Sequence, residues 1–367
     1  MKKLVFTVTT DLSCDQRMQR ICTTLQGAGF SVTLIGRELG TSDLPQMPYE
    51  QIRLPVRFAK GKLAYLEYNL RLFFLLSRLR WDAICAVDLD TLLPAFLVSK
   101  WKAKPLVFDA HEHFTEVPEL LNRPLTRYAW RLLASTLIPR IRYAYTVGEA
   151  LARELKSIYG TDFEVFRNLP LREGVEPNDH RVEKPPIFTV IYQGALNVGR
   201  GLEVAIDTIA AMQDIQLWIC GEGDLSQLLR QRAEKLGAGE RIRFWGRLSP
   251  DVLRSLTRRA HAGLNLLDPS SKSYYLSFAN KAMDYIQAGI PAVCMDFPEY
   301  RHIHQAYGVF ALLDELCPKK LRAVLERWKM QGEEYQTLVH NCQKAADELV
   351  WENEASRLVE FYKRIVV

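Results

Sequence analysis

Short apolar runs bounded by turn residues alternate with helical patterns along the chain, and this alternation stops once and then restarts. Such a rhythm requires parallel sheets covered by helices, because parallel neighbours need a long crossover and a helix is the usual one. In the first half, strands are predicted at Leu4–Thr9, Val32–Ile35, Gln51–Leu54, Ala83–Val87, Leu106–Asp109, Ala144–Val147 and Glu164–Arg167. Helices are predicted between them, among them Gln16–Gln26, Ala64–Leu79 and Leu125–Arg140. The stretch Leu171–Ile187 then carries Pro177, Pro185, Pro186 and a run of charges without apolar periodicity, and reads as an exposed linker. Strands resume at Thr189–Gln193, Gln216–Cys220, Ile242–Trp245, Ala262–Leu266 and Pro291–Met295. The fold class is therefore α/β, with two Rossmann-like doubly wound domains at 1–170 and 188–348 joined by a linker at 171–187. A terminal helix at about Leu349–Ile365, whose apolar face suits either domain, completes the 367 residues. Ligands of such sheets sit beyond the carboxyl ends of the strands, so a cleft between the domains is the expected site.

Charge and cysteine usage narrow the function classes. Nucleic-acid binders concentrate more basic charge in one place, and a net charge of +5 is mild for a chain of this size. It is uneven, however: residues 51–145 hold 15 Lys/Arg against 8 Asp/Glu. Arg71, Arg78 and Arg80, with Arg123, Arg127 and Arg131, are expected to form a cationic surface suited to an anionic membrane. The seven cysteines (Cys14, Cys22, Cys85, Cys220, Cys294, Cys317, Cys342) are odd in number and scattered, as in reduced cytoplasmic proteins. The opening MKKLVFTVTTD reads as a strand rather than a signal peptide, and Leu70–Leu79 is too short and too basic to span a bilayer. The expected location is cytoplasmic, peripheral on the inner face of the membrane.

The loops at the strand ends decide the ligand. After the first strand comes TTDLSCDQR, with no glycine before Gly27, which argues against an NAD or FAD enzyme. No Gly-x-x-x-x-Gly-Lys-Ser/Thr is present, which argues against a P-loop ATPase. In the second domain YQGALNVGRGLEVAI places Gly194, Gly199, Arg200 and Gly201 before a helix at Leu202, an arrangement that suits a phosphate or a plain β-α turn. Gly221 and Gly223 end the strand in WICGEGD. In SFANKAMDYIQAGIPAV, Asn280 is expected to cap a helix whose first turn carries Lys281 and Asp284 on one face. A lysine at a helix start is unfavourable without an anion, and a carboxylate one turn later suits ribose hydroxyls. A solvated ion pair is the competing reading.

Two segments of the first domain are also polar at strand ends. VFDAHEHF sets Asp109, His111, Glu112 and His113 there, without a further cluster at metal spacing, and is expected to aim a polar loop into the cleft. Asp88-Leu89-Asp90 reads either as a divalent-cation pair or, preferred because this domain lacks a phosphate loop, as a loop shaping the acceptor pocket.

These pieces, with YTVGEALARELKSIYG, FRNLP, FWGRL and WENEASRLVEFY in order along nearly the whole chain, resemble the retaining GT-B glycosyltransferases, close to family 4. The resemblance implies a second domain that holds a nucleoside diphosphate sugar and a first domain that holds a saccharide or lipid-linked acceptor in polysaccharide biosynthesis. Arg200 and Lys281 then neutralise the diphosphate with no metal and no cofactor, and Asp284 grips the ribose. The backbone at Arg247 and Leu248 lines the base pocket, and His111 contacts the donor sugar. The terminal helix would cross back onto the first domain. Two positions depart from the family pattern: Leu276 stands where a first acid is usual, and Ala195 where an arginine is. A sugar-nucleotide epimerase and a non-catalytic nucleotide-sugar binder are the competing readings. The first predicts epimerised donor without acceptor, the second donor binding without transfer.

Overall fold

The computed structural model describes the chain except residues 14, 39–42, 59–60, 122, 173–182 and 367. Cys14 and the middle of the expected linker lie outside the described residues. The chain divides into two compact units, one of Met1–Asn168 with Glu352–Val367 and one of Leu169–Trp351.

Among the described residues the first unit has seven parallel strands: β1 (Lys3–Thr7), β2 (Ser31–Arg37), β3 (Glu50–Leu54), β4 (Ala83–Val87), β5 (Leu106–Ala110), β6 (Tyr143–Thr146) and β7 (Glu164–Val165). Their spatial order is β3-β2-β1-β4-β5-β6-β7. β4 and β5 are buried at every residue, which is why β4 reads as an unbroken apolar run and β5 as one broken only by Asp109, rather than as alternating strands. The chain leaves β1 in one direction and returns to β4 on its other side, so the loops beyond β1 and β4 diverge and leave a crevice.

Helix Trp351–Ile365 closes this unit's core from the far end of the sequence. Tyr362 packs on Phe6 with ring centroids 5.6 Å apart, and its hydroxyl lies 3.3 Å from that of Tyr145. The helix starts at Trp351 rather than Leu349, because Leu349 caps the end of helix Glu333–Glu348. The expected helix Leu125–Arg140 is an α-helix over Pro124–Leu137 followed by a 3-10 turn at Ile138–Arg140, where Pro139 has no N–H to continue the ladder.

The second unit has, among the described residues, six parallel strands: β8 (Phe188–Gln193), β9 (Ile215–Cys220), β10 (Ile242–Gly246), β11 (Ala262–Asn265), β12 (Ala292–Met295) and β13 (Phe310–Leu313). Their order is β10-β9-β8-β11-β12-β13, which puts the switch between β8 and β11. β13 is absent from the sequence expectation. It is four residues at the sheet edge, paired only with β12, and too short to show a period.

The six described cysteines are free, and Cys85, Cys220 and Cys294 sit within strands. Among the described residues no helix is long and apolar enough to cross a membrane.

Candidate functional site

The second unit gathers its chemistry where β8 and β11 part. The loop from Gly194 to Gly201 leaves β8 and folds onto the end of β11, with the Asp268 N–H donating to the Gly199 carbonyl at 2.9 Å. Gly201 holds φ at 67°, and a Cβ there would lie 2.1 Å from the Leu266 carbonyl oxygen. At Gly221 φ is 139°, and a Cβ would lie 1.9 Å from the Gly194 carbonyl oxygen. Only glycine permits either approach. The missing side chains of Gly199 and Gly223 would point at Tyr274 and at Asn197 with Leu196. Gly199, Gly201, Gly221 and Gly223 therefore let loop pack on loop.

Two cations occupy the edge so formed. The Arg200 guanidinium lies 4.6 Å from the Tyr274 ring centroid, and the Lys281 ammonium 3.8 Å from that of Tyr192. A Cβ on Gly194 would be 3.4 Å from Lys281 Nζ, so the lysine reaches across the start of the loop. Lys281 is 8% exposed and forms no ion pair among the described residues. Burial and then the Arg200 charge push its pKa well below the usual lysine value, against a weaker opposing pull from Cys294 and Asp284. Arg200 also has no carboxylate partner among the described residues, and its Nε is buried without a hydrogen bond. Two like charges held over aromatic faces with no counterion make a seat for an anion.

Asp284 is fixed at the same edge. Its Oδ2 accepts a 2.7 Å hydrogen bond from Gln193 Nε2, and Gln193 Oε1 in turn accepts from Thr257 Oγ1 at 2.8 Å. The expected helix cap is corrected: Ala279 occupies the cap position and Asn280 is the first helical residue. The Tyr300 hydroxyl accepts the Ala279 N–H at 3.1 Å where the helix starts, one residue earlier than expected, so Asn280 does not hold the cap position. Arg247 and Leu248 follow Gly246 at the end of β10, beside the β9 loop. There Ser226, then Arg230 and Arg247, hold the Glu222 carboxyl below its usual pKa. Leu276 is buried after the short helix Lys272–Tyr275, and Ala195 is exposed.

The first unit has its own polar cluster at the carboxyl ends of β1, β4 and β5. Asp88 takes a left-handed φ of 56°, uncommon for a residue with a side chain, and its N–H donates to the Asp109 carbonyl at 2.8 Å. This turn aims Asp88 at His111. Oδ2 lies 2.6 Å from His111 Nδ1, and Oδ1 accepts the His111 backbone N–H at 3.3 Å. Burial opposes the charge on His111, but Asp88 and then Glu112 outweigh it and raise the imidazole pKa to about 10. Asp88 is thus the partner of His111, a pairing that residues 23 apart in sequence do not announce.

Asp90 accepts from Thr9 Oγ1, while its Oδ1 is buried without a partner. Burial and neighbouring Asp88 raise its pKa to about 7. Glu112 is half-buried beside His111, and His113 is buried. Asp109 departs from expectation. It lies within β5 at 0% exposure, and both of its oxygens are taken by the Arg17 guanidinium. It is an internal ion pair rather than a group offered to a substrate. Among the described residues no three His, Cys, Asp or Glu side chains group to hold a metal ion.

Two parallel-sheet α/β units with these switch points are the GT-B architecture. Residues 16–168 match the model of Glycosyltransferase Family 4, and residues 187–323 that of Glycosyl transferases group 1. The chain belongs to the GT-B glycosyltransferases of these families, and is a glycosyltransferase.

Solved structures share the fold at low identity. A sucrose-phosphate synthase from Thermosynechococcus elongatus is 13% identical, with 99% of each chain covered and a TM-score of 0.82. Anabaena HepE in complex with UDP and glucose is 15% identical, with 99% of this chain and 100% of that chain covered and a TM-score of 0.76. WaaG, a glycosyltransferase involved in lipopolysaccharide biosynthesis, is 16% identical, with 97% of this chain and 98% of that chain covered and a TM-score of 0.72. No curated protein matches the sequence at a significant level.

Proposed function

We propose that this glycosyltransferase moves a sugar from a UDP-sugar to a saccharide or lipid-linked glycan at an anionic membrane surface, as a step of polysaccharide assembly. The observation that carries the reading is the Arg200 and Lys281 pair, two cations over aromatic rings with no carboxylate to neutralise them among the described residues. A diphosphate seated against both supplies the missing charge without a metal ion. Asp284, oriented by Gln193, takes the ribose hydroxyls, and the backbone at Arg247 and Leu248 lines the base. Uridine is favoured by the HepE structure, which holds UDP and glucose, and polysaccharide assembly by WaaG. Retention of configuration rests on the motif resemblance.

The chemistry follows from the charge. As the bond from the anomeric carbon to the diphosphate breaks, negative charge grows on the departing oxygen. Cations already fixed there stabilise that charge more in the transition state than in the ground state. The acceptor hydroxyl oxygen forms the new bond, and its proton leaves with the diphosphate. His111, held charged by Asp88, is a hydrogen-bond donor to the donor sugar rather than a base.

A thermal-shift panel of UDP-, GDP-, ADP- and dTDP-sugars tests the assignment, with Asp284→Ala beside the wild type. A UDP-sugar is expected to stabilise the wild type alone. Equal stabilisation of both proteins would remove the ribose contact, and a response to another nucleotide would replace uridine.

A further inference from the structure

Helix Gly61–Arg78 carries two apolar stripes. Ala64, Tyr68, Leu72 and Leu76, spaced by four, are its buried face. Leu63, Leu66, Leu70 and Phe74 form a second stripe on the opposite side, and all four are exposed. A helix covering a sheet normally turns charge outward.

Its neighbours repeat the pattern. Helix Leu92–Lys102 packs against it and exposes Leu93, Leu97 and Trp101, the last at 70%. Helix Pro124–Leu137 packs on that one in turn and exposes Leu125 at 82%, Tyr128 and Leu132. Tyr65 and Trp130 join the first and third helices edge to face, with centroids 6.1 Å apart. Three adjacent helices of one unit thus expose an apolar stripe each.

Charge says what covers this face. The three helices carry seven Lys/Arg and one acid, Glu67. Glu67 pairs with Arg71, and Glu116 from the preceding turn pairs with Arg127 and Arg131. Lys62, Arg78 and Lys100 have no carboxylate partner among the described residues. At one end of the same helices a cavity of about 440 Å³ is lined by Lys3, Arg80, Lys102 and Lys104 around Trp81, against a single acid, Asp82. A second copy of the chain would bring this cationic face against itself. A bilayer with anionic headgroups offers hydrocarbon to the stripes and negative charge to the cations. Trp101 and Tyr128 are the residue types that settle at that boundary.

We propose that the outer faces of helices Gly61–Arg78, Leu92–Lys102 and Pro124–Leu137 form a membrane-docking surface for anionic lipid, with Leu66, Leu70, Phe74 and Trp101 entering the headgroup boundary. The proposal rests on the reading of a membrane-presented acceptor for its purpose, but the binding itself is measurable without turnover.

The test is flotation of the full chain with vesicles of phosphatidylcholine alone or mixed with phosphatidylglycerol, at low and high salt. The wild type is expected to float with the mixed vesicles at low salt and to be released by high salt. Combined Leu66→Ser, Leu70→Ser and Phe74→Ser are expected to lower partitioning at least about tenfold, and so are combined Arg78→Gln, Arg80→Gln and Lys100→Gln. Circular dichroism melting and UDP binding should be unchanged in both, since every substituted side chain is exposed.

Failure of the wild type to float with either vesicle overturns the surface, as does flotation of both variants to the same extent as the wild type. Concentration-dependent self-association that the serine variant abolishes overturns it in favour of an interface between copies. A wild type that transfers sugar but does not float sinks the surface alone; a wild type that floats but transfers from no nucleotide sugar sinks the proposed reaction alone.

Discussion

Asp88 Oδ2 sits 2.6 Å from His111 Nδ1, on a residue whose own backbone is turned into the left-handed region to put it there. The carboxylate fixes the proton on Nδ1 and leaves Nε2–H as the outward donor. Because the folded imidazole pKa is raised above its ordinary 6.5, the stabilisation from the charged pair is full below about 6.5 and is lost as pH rises through about 10. Asp88→Asn is expected to bring the imidazole back toward its ordinary value and shift the alkaline limb of kcat/KM down by about two units or more. An unmoved limb would separate His111 from the activity.

Lys281 gives a second pH signature. Its pKa is lowered by burial and by Arg200, and a bound diphosphate would raise it again. UDP binding is therefore expected to take up a proton, with affinity falling as pH rises above the free lysine's lowered pKa. Calorimetry in buffers of different ionisation enthalpy reads that uptake directly. Lys281→Met should abolish it and weaken UDP by about 2 kcal/mol or more.

At Gly221 the prediction is steric. A methyl group there would meet the Gly194 carbonyl oxygen at 1.9 Å in a backbone conformation that L-residues avoid. Gly221→Ala is expected to cost about 2–4 kcal/mol in denaturant unfolding and to loosen donor binding, because the loop beside Lys281 must shift. Gly239, with open space around it and an ordinary φ, serves as the control and should tolerate alanine.

Asp90 should make the protein less stable as pH rises. Its folded pKa, raised to about 7, lies above the unfolded value of 3.8, so the folded state holds an extra proton in between. Stability is then expected to fall as pH rises across that window, by an amount on the order of a few kcal/mol. Asp90→Asn keeps an acceptor for Thr9 and should flatten this slope between pH 4 and pH 7 in urea titrations. A slope equal to that of the wild type would assign it to another group.

Much of the architecture was legible because it depends on local periodicity. β4 and β5 are buried on both faces, so they show no polar alternation, and the one charge in them, Asp109 of β5, is paired inside the fold. The loops with Arg200 and Lys281 could likewise be placed at strand ends from glycine and helix-start signals alone. β13 was not legible, since four residues at an edge carry no period. Asn280 misled because a good capping residue is only a candidate, and the helix starts one residue earlier, at the Ala279 N–H that the Tyr300 hydroxyl accepts. Asp109 misled because one carboxylate beside two histidines reads the same whether it faces solvent or Arg17.

By itself the sequence determined two parallel sheets, the order of their loops, and a set of charged and polar residues at the strand ends. Those depend on hydrophobic period, turn chemistry and charge type, which act within a few residues. Only the tertiary structure decided that Lys281 lies over Tyr192, that Asp88 holds His111, and that three helices keep an apolar stripe facing outward. Each of those depends on which surfaces meet across distant parts of the chain, and desolvation, ion pairing and exposure have no value until they do.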